Sequence, residues 1–319
     1  MREVAPGIHH IPIPIPYPMK YVNCYLLKGD GHALIDTGLD TPEARRALTE
    51  ALAHFGLDLA DLDEVLLTHH HPDHYGLAGL LEAAGARVRM LDVEYQRGHA
   101  QWTRFEAHLP QTLQAFAQHG MPEPVRAGIL ETMRATRRRL HPPQHPETFP
   151  DGAVLEVAGM TLQAFWTPGH ADGHAVFLRP ADGTLLAGDH ILERITPNIS
   201  LWPHSRPNPL KDYLEALERV RALAPERALV GHYGPVIPDV PRRIAEIQAH
   251  HQARLEHLKT LLARGPQTAW DLSLALFPGE LTLAQRRFAW AETLAHLEYL
   301  VAVGLAARLE GRTIRYAPA

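Results

Sequence analysis

The stretch that decides the fold is Thr68-His69-His70-His71-Pro72-Asp73-His74. It follows the apolar run 65–67, which is typical of a buried strand, and it precedes residues 75–82, whose apolar side chains recur at helical spacing. His69 and His71 are two residues apart, so their side chains point the same way in extended backbone. Four side chains of metal-binding types therefore lie where a strand ends and a helix begins.

Residues 69–74 include side chains of types that could bind metal ions at two neighbouring positions. Asp73 and His74 begin the next turn and can point at a second position beside the one that His69 and His71 face. Neutral imidazole suits zinc, and a carboxylate compensates the charge of the ion. The alternative interpretation is a solvated, His-rich loop. We disfavour it because the order His-x-His-x-Asp-His is specific and later strand ends supply the missing ligands.

Three later strands end in side chains of the same kind. They are His170 after residues 160–166, Asp189 after residues 184–187 and His232 after residues 228–230. Loops at strand ends on one edge of a sheet can converge. We therefore predict that these side chains meet those of residues 69–74 at a single site.

The predicted site holds two metal ions. The first ion is predicted to bind three histidines: His69, His71 and His170. The second is predicted to bind Asp73, His74 and His232, with Asp189 as a bridge between the two ions. Divalent ions roughly 3.5–4 Å apart would share a bridging hydroxide that attacks the substrate. The predicted catalytic residues are Asp189 and Asp73, and Asp73 also shuttles the proton.

Five motifs then occur along the chain in order. They are Asp36-Thr37-Gly38, Thr68 to His74, Gly169-His170, Gly188-Asp189 and Gly231-His232. With this set, over roughly residues 5–237, the chain resembles the metallo-β-lactamase superfamily. The resemblance implies an α+β fold, an αββα sandwich with a di-zinc site at its edge.

Three further residues are predicted to lie around the ligands or in the substrate pocket: Asp36, His174 and His190. Asp36 could orient a metal-bound histidine from behind, or it could only start a turn and a helix, and the sequence leaves both roles open. His174 competes with His170 as a ligand, and the Pro-Gly-His context favours His170.

Departures from the family pattern narrow the class of enzyme. The best-known β-lactamases place a cysteine where Asp189 stands, whereas the only cysteine here is Cys24 in an early strand. Antibiotic hydrolysis is therefore disfavoured as the main role. Only 42 residues separate Asp189 from His232, too few for the large domain of the RNA-processing branch, and the exosite arm of the tRNA 3′-processing branch is not seen. The glyoxalase II-like, lactonase, thioesterase and lactamase-beta-like group remains.

We divide the chain into a catalytic domain, residues 1–238, and a smaller domain, residues 239–319. Residues 93–148 interrupt the core with helical patterns and prolines, which predicts a helical insertion. The insertion is either a lid or acyl-binding wall over the metals, or a surface for a dimer contact or core packing. The second interpretation is slightly favoured.

The smaller domain has the pattern of three helices and a hairpin, typical of a winged-helix-like module. The helices are predicted at residues 242–262, from 266 onward and at 291–303. This module resembles the C-terminal domain of lactamase-beta-like hydrolases, some of which cleave single-stranded RNA. Residues 241–319 hold ten Lys and Arg against seven Asp and Glu, a weak excess for a nucleic-acid reader. We expect the module to pack on the catalytic domain or on a partner subunit.

The composition is that of an ordinary globular protein, with 45% hydrophobic residues, 21% charged residues and a net charge of −5. This charge gives no general attraction to nucleic acid or anionic membranes. One cysteine excludes an intrachain disulfide. The N-terminus does not resemble a signal peptide, and no apolar run is long enough to span a bilayer. We expect a cytoplasmic protein that forms a homodimer.

The sequence favours hydrolysis of a small acyl substrate, an ester, a thioester or a lactone, by two zinc ions. The apolar, aromatic insertion and the acidic net charge suit such a substrate better than a polyanion. The main alternative is an endoribonuclease acting on single-stranded RNA, because metals stabilise oxyanions of either kind. A DNA-binding regulator is disfavoured because the ligand set is complete. A His/Asp set also accepts manganese or iron.

Overall fold

Two β-sheets stack face to face in the computed structural model, which describes residues 1–319. The first sheet has seven strands, paired in chain order: β1 (Arg2–Ala5), β2 (Ile8–Pro14), β3 (Tyr21–Lys28), β4 (His32–Ile35), β5 (Glu64–Leu66), β6 (Arg87–Leu91) and β7 (Glu147–Phe149). The second has six: β8 (Val154–Val157), β9 (Met160–Trp166), β10 (Ala175–Arg179), β11 (Thr184–Gly188), β12 (Arg227–Val230) and β13 (Val236–Ile237). They pair in the order β13-β12-β11-β10-β9-β8.

Helices connect the strands and cover the outer faces of the sheets. They are α1 (Pro42–His54), α2 (Pro72–Tyr75), α3 (Ala78–Ala83), α4 (Asp92–Glu94), α5 (Ala100–Thr103), α6 (Phe105–Gln118), α7 (Glu123–Arg137), α8 (Pro209–Ala222), α9 (Val240–Leu262), α10 (Ala269–Leu276) and α11 (Leu283–Ala302). A 3-10 turn forms at Leu59–Asp61 and a π-helical turn at Tyr95–His99. None of the helices combines the length and the apolar character needed to cross a membrane.

The core between the sheets is built from the inward-facing side chains of both. The first sheet contributes Ile35 and Leu66, and the second contributes Phe177 and Leu186, all of them buried. The rings of Phe149 and Phe177 pack edge to face with their centroids 5.9 Å apart. Because successive strand residues face opposite sides of a sheet, this core uses one face of each sheet and leaves the other for helices.

The outer faces of the sheets are covered by separate groups of helices. Leu48 of α1 and Leu81 of α3 pack with Val65 on the first sheet. Leu217 of α8 packs with Leu185 on the second sheet, in a core that also includes α9 to α11 of the smaller domain, residues 239–319, which we call the tail. The layers therefore follow the order helix, sheet, sheet, helix, and the predicted α+β sandwich is confirmed.

The insertion is helical, as predicted, and it packs in two directions. Trp102 and Phe105 lie in the outer core of the first sheet. Phe116 and Ile129 lie in the other core, together with Trp290 of the tail. These contacts show that the insertion takes part in core packing, and they join the sandwich to the tail. The lid stays a prediction.

The tail contains the predicted three helices, followed by a hairpin of β14 (Ala306–Leu309) and β15 (Arg315–Pro318). Helix α11 starts at Leu283 and not at residue 291, so the predicted boundary is wrong. The physical reason is a capping box: Thr282 Oγ1 accepts from Gln285 N at 3.3 Å, and Gln285 Oε1 accepts from Thr282 N at 3.0 Å. The winged-helix assignment stays a prediction.

Replacing Phe177 with alanine is expected to lower the free energy of unfolding by about 3–5 kcal/mol, because a fully buried aromatic ring leaves a cavity between the sheets. Val154→Ala is the control, since Val154 is 61% exposed on the same sheet and its loss should change stability by no more than about 0.5 kcal/mol. Guanidinium unfolding of metal-free protein, followed by circular dichroism, measures both. Equal stabilities for the two variants would contradict this core.

Candidate metal centre

The strand directions bring the predicted ligands to one edge of the sandwich. In the first sheet β4 and β5 are parallel, and in the second β11 and β12 are parallel. Strand β9 runs in the same direction as β11, because β10 is antiparallel to both. Across the two sheets, Ala175 N donates to the Thr68 carbonyl at 2.9 Å. The loops that follow these strands therefore meet.

Three imidazole nitrogens converge at the first predicted metal position. His71 Nδ1 lies 3.0 Å from His69 Nε2 and 2.8 Å from His170 Nε2. Burial lowers the pKa of all three rings, and that of His69 and His71 falls well below its ordinary value. The rings are therefore neutral near pH 7 and present lone pairs, which a cation at this position would stabilise.

The second predicted position is fully buried and is formed by three side chains: Asp73, His74 and His232. His232 Nε2 lies 3.3 Å from Asp73 Oδ2. Burial alone would lower the pKa of both histidines, but the carboxylate of Asp189 outweighs it. The pKa of His232 rises to about 10 and that of His74 rises well above its ordinary value. The carboxylates thus create a negative field that attracts cations.

Asp189 lies between the two groups. Its Oδ1 is 3.3 Å from His74 Nε2, and its Oδ2 is 3.3 Å from His232 Nε2 and 3.6 Å from His170 Nε2. His74 Nε2 and Asp189 Oδ1 are buried, and neither makes a hydrogen bond. Buried polar atoms without partners are costly, and a bound cation would satisfy both. The donor set therefore fits divalent metal ions.

Asp36 lies behind His74, on the side away from the metal position. It accepts hydrogen bonds from Thr68 N and Thr68 Oγ1, both at 2.8 Å, and its Oδ2 is 2.7 Å from His74 Nδ1. This contact keeps a hydrogen on Nδ1 and leaves Nε2, the atom that would bind a metal ion, facing the metal position. Asp36 does not start a helix, which is its alternative predicted role. The side chain of Thr41 caps the N-terminus of α1 instead.

His174 and His190 stand outside both groups of converging ligands. His174 Nε2 accepts the backbone N–H of Asp189 at 3.2 Å, and its Nδ1 is 2.9 Å from Thr167 Oγ1. His190 packs against Tyr213 with the ring centroids 5.3 Å apart, and burial lowers its pKa to about 3. Both rings are buried and support the loops that carry the ligands.

Two backbone carbonyls orient ligand rings. His170 Nδ1 donates to the Asn198 carbonyl at 2.8 Å, and His232 Nδ1 donates to the Tyr21 carbonyl at 2.9 Å. Since a carbonyl only accepts, each ring carries a hydrogen on Nδ1, and its Nε2, the atom that would bind a metal ion, faces a metal position. Neither contact can be predicted from the sequence, because every residue has a backbone carbonyl.

One histidine of the motif, His70, points away from both predicted metal positions. Its Nδ1 pairs with Glu94 Oε1 at 2.7 Å, and Trp102 Nε1 donates to its backbone carbonyl at 2.7 Å. Glu94 also accepts from Gly173 N at 3.1 Å. The insertion thus ties together the loops that carry residues 69–74 and His170. His70 lies between His69 and His71, so in extended backbone its side chain is expected to face the opposite way. Nothing in the sequence identifies Glu94 as its partner.

Two glycines allow the close packing of the ligand loops. A Cβ at Gly231 would lie 2.1 Å from Asp189 Oδ1 and 2.8 Å from His74 Cε1. Gly169 has φ +129°, and a Cβ there would lie 2.3 Å from Tyr213 Cβ. These contacts explain why glycine precedes His232 and His170 in the motifs.

Comparison with known sequences agrees with this geometry. The sequence model described as "Metallo-beta-lactamase superfamily" matches residues 18–232. The chain belongs to this superfamily. A second sequence model, "Metallo-beta-lactamase-like, C-terminal domain", matches residues 255–319. As a member of the superfamily with these His/Asp groups, the protein is a metal-dependent hydrolase.

Similar proteins match over nearly the whole chain. The probable metallo-hydrolase YqjP of Bacillus subtilis (strain 168) is 30% identical over 322 residues, which is 96% of each chain. The crystal structure of a metallo-beta-lactamase family protein from Thermus thermophilus is 51% identical, with a TM-score of 0.92 over 99% of this chain and 100% of that one. A beta-lactamase domain protein from Burkholderia ambifaria is 31% identical, with a TM-score of 0.87 over 100% and 94%.

Proposed function

We propose that the protein uses two divalent metal ions to hydrolyse a small acyl substrate: an ester, a thioester or a lactone. The observation that carries the proposal is the position of Asp189 between two ligand groups. Metal ions held by these residues would polarise a carbonyl oxygen and would supply, as the nucleophile for the carbonyl carbon, a water whose pKa is lowered to about 7.

The side chains of the protein divide the remaining tasks. His71 and His170 are half-buried, whereas the second group is buried, so we place the substrate carbonyl on the side of the first position. We assign to Asp73 the transfer of the proton, from the attacking water to the departing alkoxide or thiolate. Asp189 holds the two positions together.

The charges of the tail favour an acyl substrate over RNA. Five of its ten Lys and Arg pair with carboxylates of the same region: Arg242, Arg243, Arg254, Lys259 and Arg308. Binding of a phosphodiester chain depends on cations that are free to contact phosphates. An endoribonuclease is the second candidate, because a two-metal site also suits phosphodiester cleavage.

We propose zinc for both positions, because three imidazoles form a common zinc site. Manganese or iron would also suit the carboxylate-containing second position. Cys24 is buried and unpaired, which is compatible with a reducing compartment, and we therefore propose the cytoplasm. The homodimer stays a prediction.

One activity panel on protein of known metal content tests the proposed function. The panel contains acyl thioesters, lactones, aryl esters and single-stranded RNA. We expect turnover of one acyl class with intact RNA, loss of turnover after chelation, and recovery on addition of zinc. RNA cleavage that disappears in the His71→Ala protein would replace the proposal with the endoribonuclease. Inactivity toward every acyl class by protein with two metals per chain would reject it.

A further inference from the structure

A separate polar cluster is buried in the tail between α9 and α11. It consists of His251, Glu292 and His296, whose ligand atoms lie within 4.8 Å of one another. His251 Nδ1 is 3.0 Å from His296 Nε2. Both carboxylate oxygens of Glu292 are already engaged, one by Arg254 and the other by Asn198. The carboxylate therefore serves these two side chains and not a further metal ion.

Asn198 connects this cluster to the metal centre. It lies in the irregular segment between β11 and α8. Its Nδ2 donates to Glu292 Oε2 at 2.6 Å, and its backbone carbonyl accepts from His170 Nδ1 at 2.8 Å. A single residue thus bonds to a tail carboxylate through its side chain and to a predicted metal ligand through its backbone.

The segment that carries Asn198 is irregular, so its position depends on contacts with other parts of the protein. Asn198 lies outside the strands and helices, so the position of its carbonyl depends on side-chain contacts and on a nearby backbone bond from Leu201 N to a carbonyl of α11. Glu292 is a rigid anchor: it is 5% exposed, and Arg254 balances its charge. The guanidinium of Arg254 in turn lies over the Phe277 ring, 4.6 Å from its centroid. The whole anchor belongs to the tail.

We propose that Glu292 is a positioning residue for the metal centre, which holds Asn198 so that its carbonyl keeps the ring of His170 in the orientation that binds the first metal ion. The tail then contributes to metal binding as well as to packing. The inference rests on the two-metal site of the proposed function and is independent of the substrate. Partners of metal ligands typically change metal affinity 10- to 100-fold.

The test measures metal binding by the full-length protein without substrate. Asn198→Ala and Glu292→Ala each remove the link. Metal-free protein is titrated with Co²⁺, whose absorption spectrum reports its ligands, and with Zn²⁺ against a competing chelator. We expect the affinity of the first position to fall by about 10-fold or more, with a changed Co²⁺ spectrum, while the second position binds as in the parent protein.

Glu298→Gln is the matched control, because Glu298 is on the same helix but accepts from Tyr316 Oη. It is expected to bind both ions as the parent does. Glu292→Gln keeps an amide oxygen for Asn198, so it should restore most of the affinity lost in Glu292→Ala. If Glu292→Ala does not fold, metal binding by Asn198→Ala is sufficient to test the proposal. The side chain of Asn198 is half-buried in a loop and is not part of a core, so its loss should not prevent folding.

Two results would overturn the proposal. One is parent-like Co²⁺ affinity and spectrum in Asn198→Ala. The other is an equal loss of metal affinity in Glu298→Gln, which would show that any weakening of the tail lowers metal affinity. A protein that shows the expected differences in metal binding but hydrolyses no acyl substrate would refute only the proposed function.

Discussion

Replacing His71 with alanine is expected to remove the first metal ion and almost all turnover together. His71 Nδ1 lies between the other two ligands, 3.0 Å from His69 Nε2 and 2.8 Å from His170 Nε2. Its loss leaves two neutral ligands at a position that is partly open to water. Without the ion, the pKa of water returns from about 7 toward about 15.7. We expect turnover of the best acyl substrate to fall on the order of 10³-fold or more.

Elemental analysis and kcat/KM measured on the same batch check this result. His257→Ala is the matched control, since His257 is an exposed histidine on α9, and it should keep the metal content and the turnover of the parent. Parent-like turnover in His71→Ala would contradict the metal assignment. Lost turnover with two ions still bound would move His71 from metal binding to contact with the substrate.

The predicted ligands could be found in the sequence because their geometry is set locally. His69 and His71 share a side of one extended segment, and a two-residue spacing is enough to show it. Asp189 and His232 directly follow two strands that are parallel neighbours. The position of each of these ligands is set by the end of an apolar strand, and apolar strands can be predicted from composition and periodicity. The same strands make the α+β sandwich predictable.

The supports of the ligands could not be found in this way, because they depend on contacts between distant segments. Asn198 acts through a backbone carbonyl, Glu94 comes from the insertion, and Glu292 comes from the tail. Side-chain type says little about any of them. The start of α11 is a different case, since Thr282 and Gln285 form a capping box whose sequence pattern predicts a helix start at this point.

Asp36→Asn is expected to weaken binding of the second metal ion by about 100-fold, the upper end of the usual range, because Asp36 is buried and makes three contacts. Asparagine has the same shape and tolerates the φ of 56° at this position. The NH2 that replaces one carboxylate oxygen donates and cannot accept, so the hydrogen bond from His74 Nδ1 is lost. Zn²⁺ titration of the metal-free protein by calorimetry measures the change.

Asp40→Asn separates the loss of a charge from the loss of this contact. Asp40 lies on the same connection but faces away from the ligands, with its carboxylate 2.9 Å from Arg45 Nη2 and 2.7 Å from His141 Nδ1. Both ions should therefore bind to this variant as they do to the parent. Normal binding in Asp36→Asn would leave Asp36 as a turn residue only. Loss of one ion, with the three-histidine position still filled, would locate its effect at His74 and show that the two positions bind metal independently.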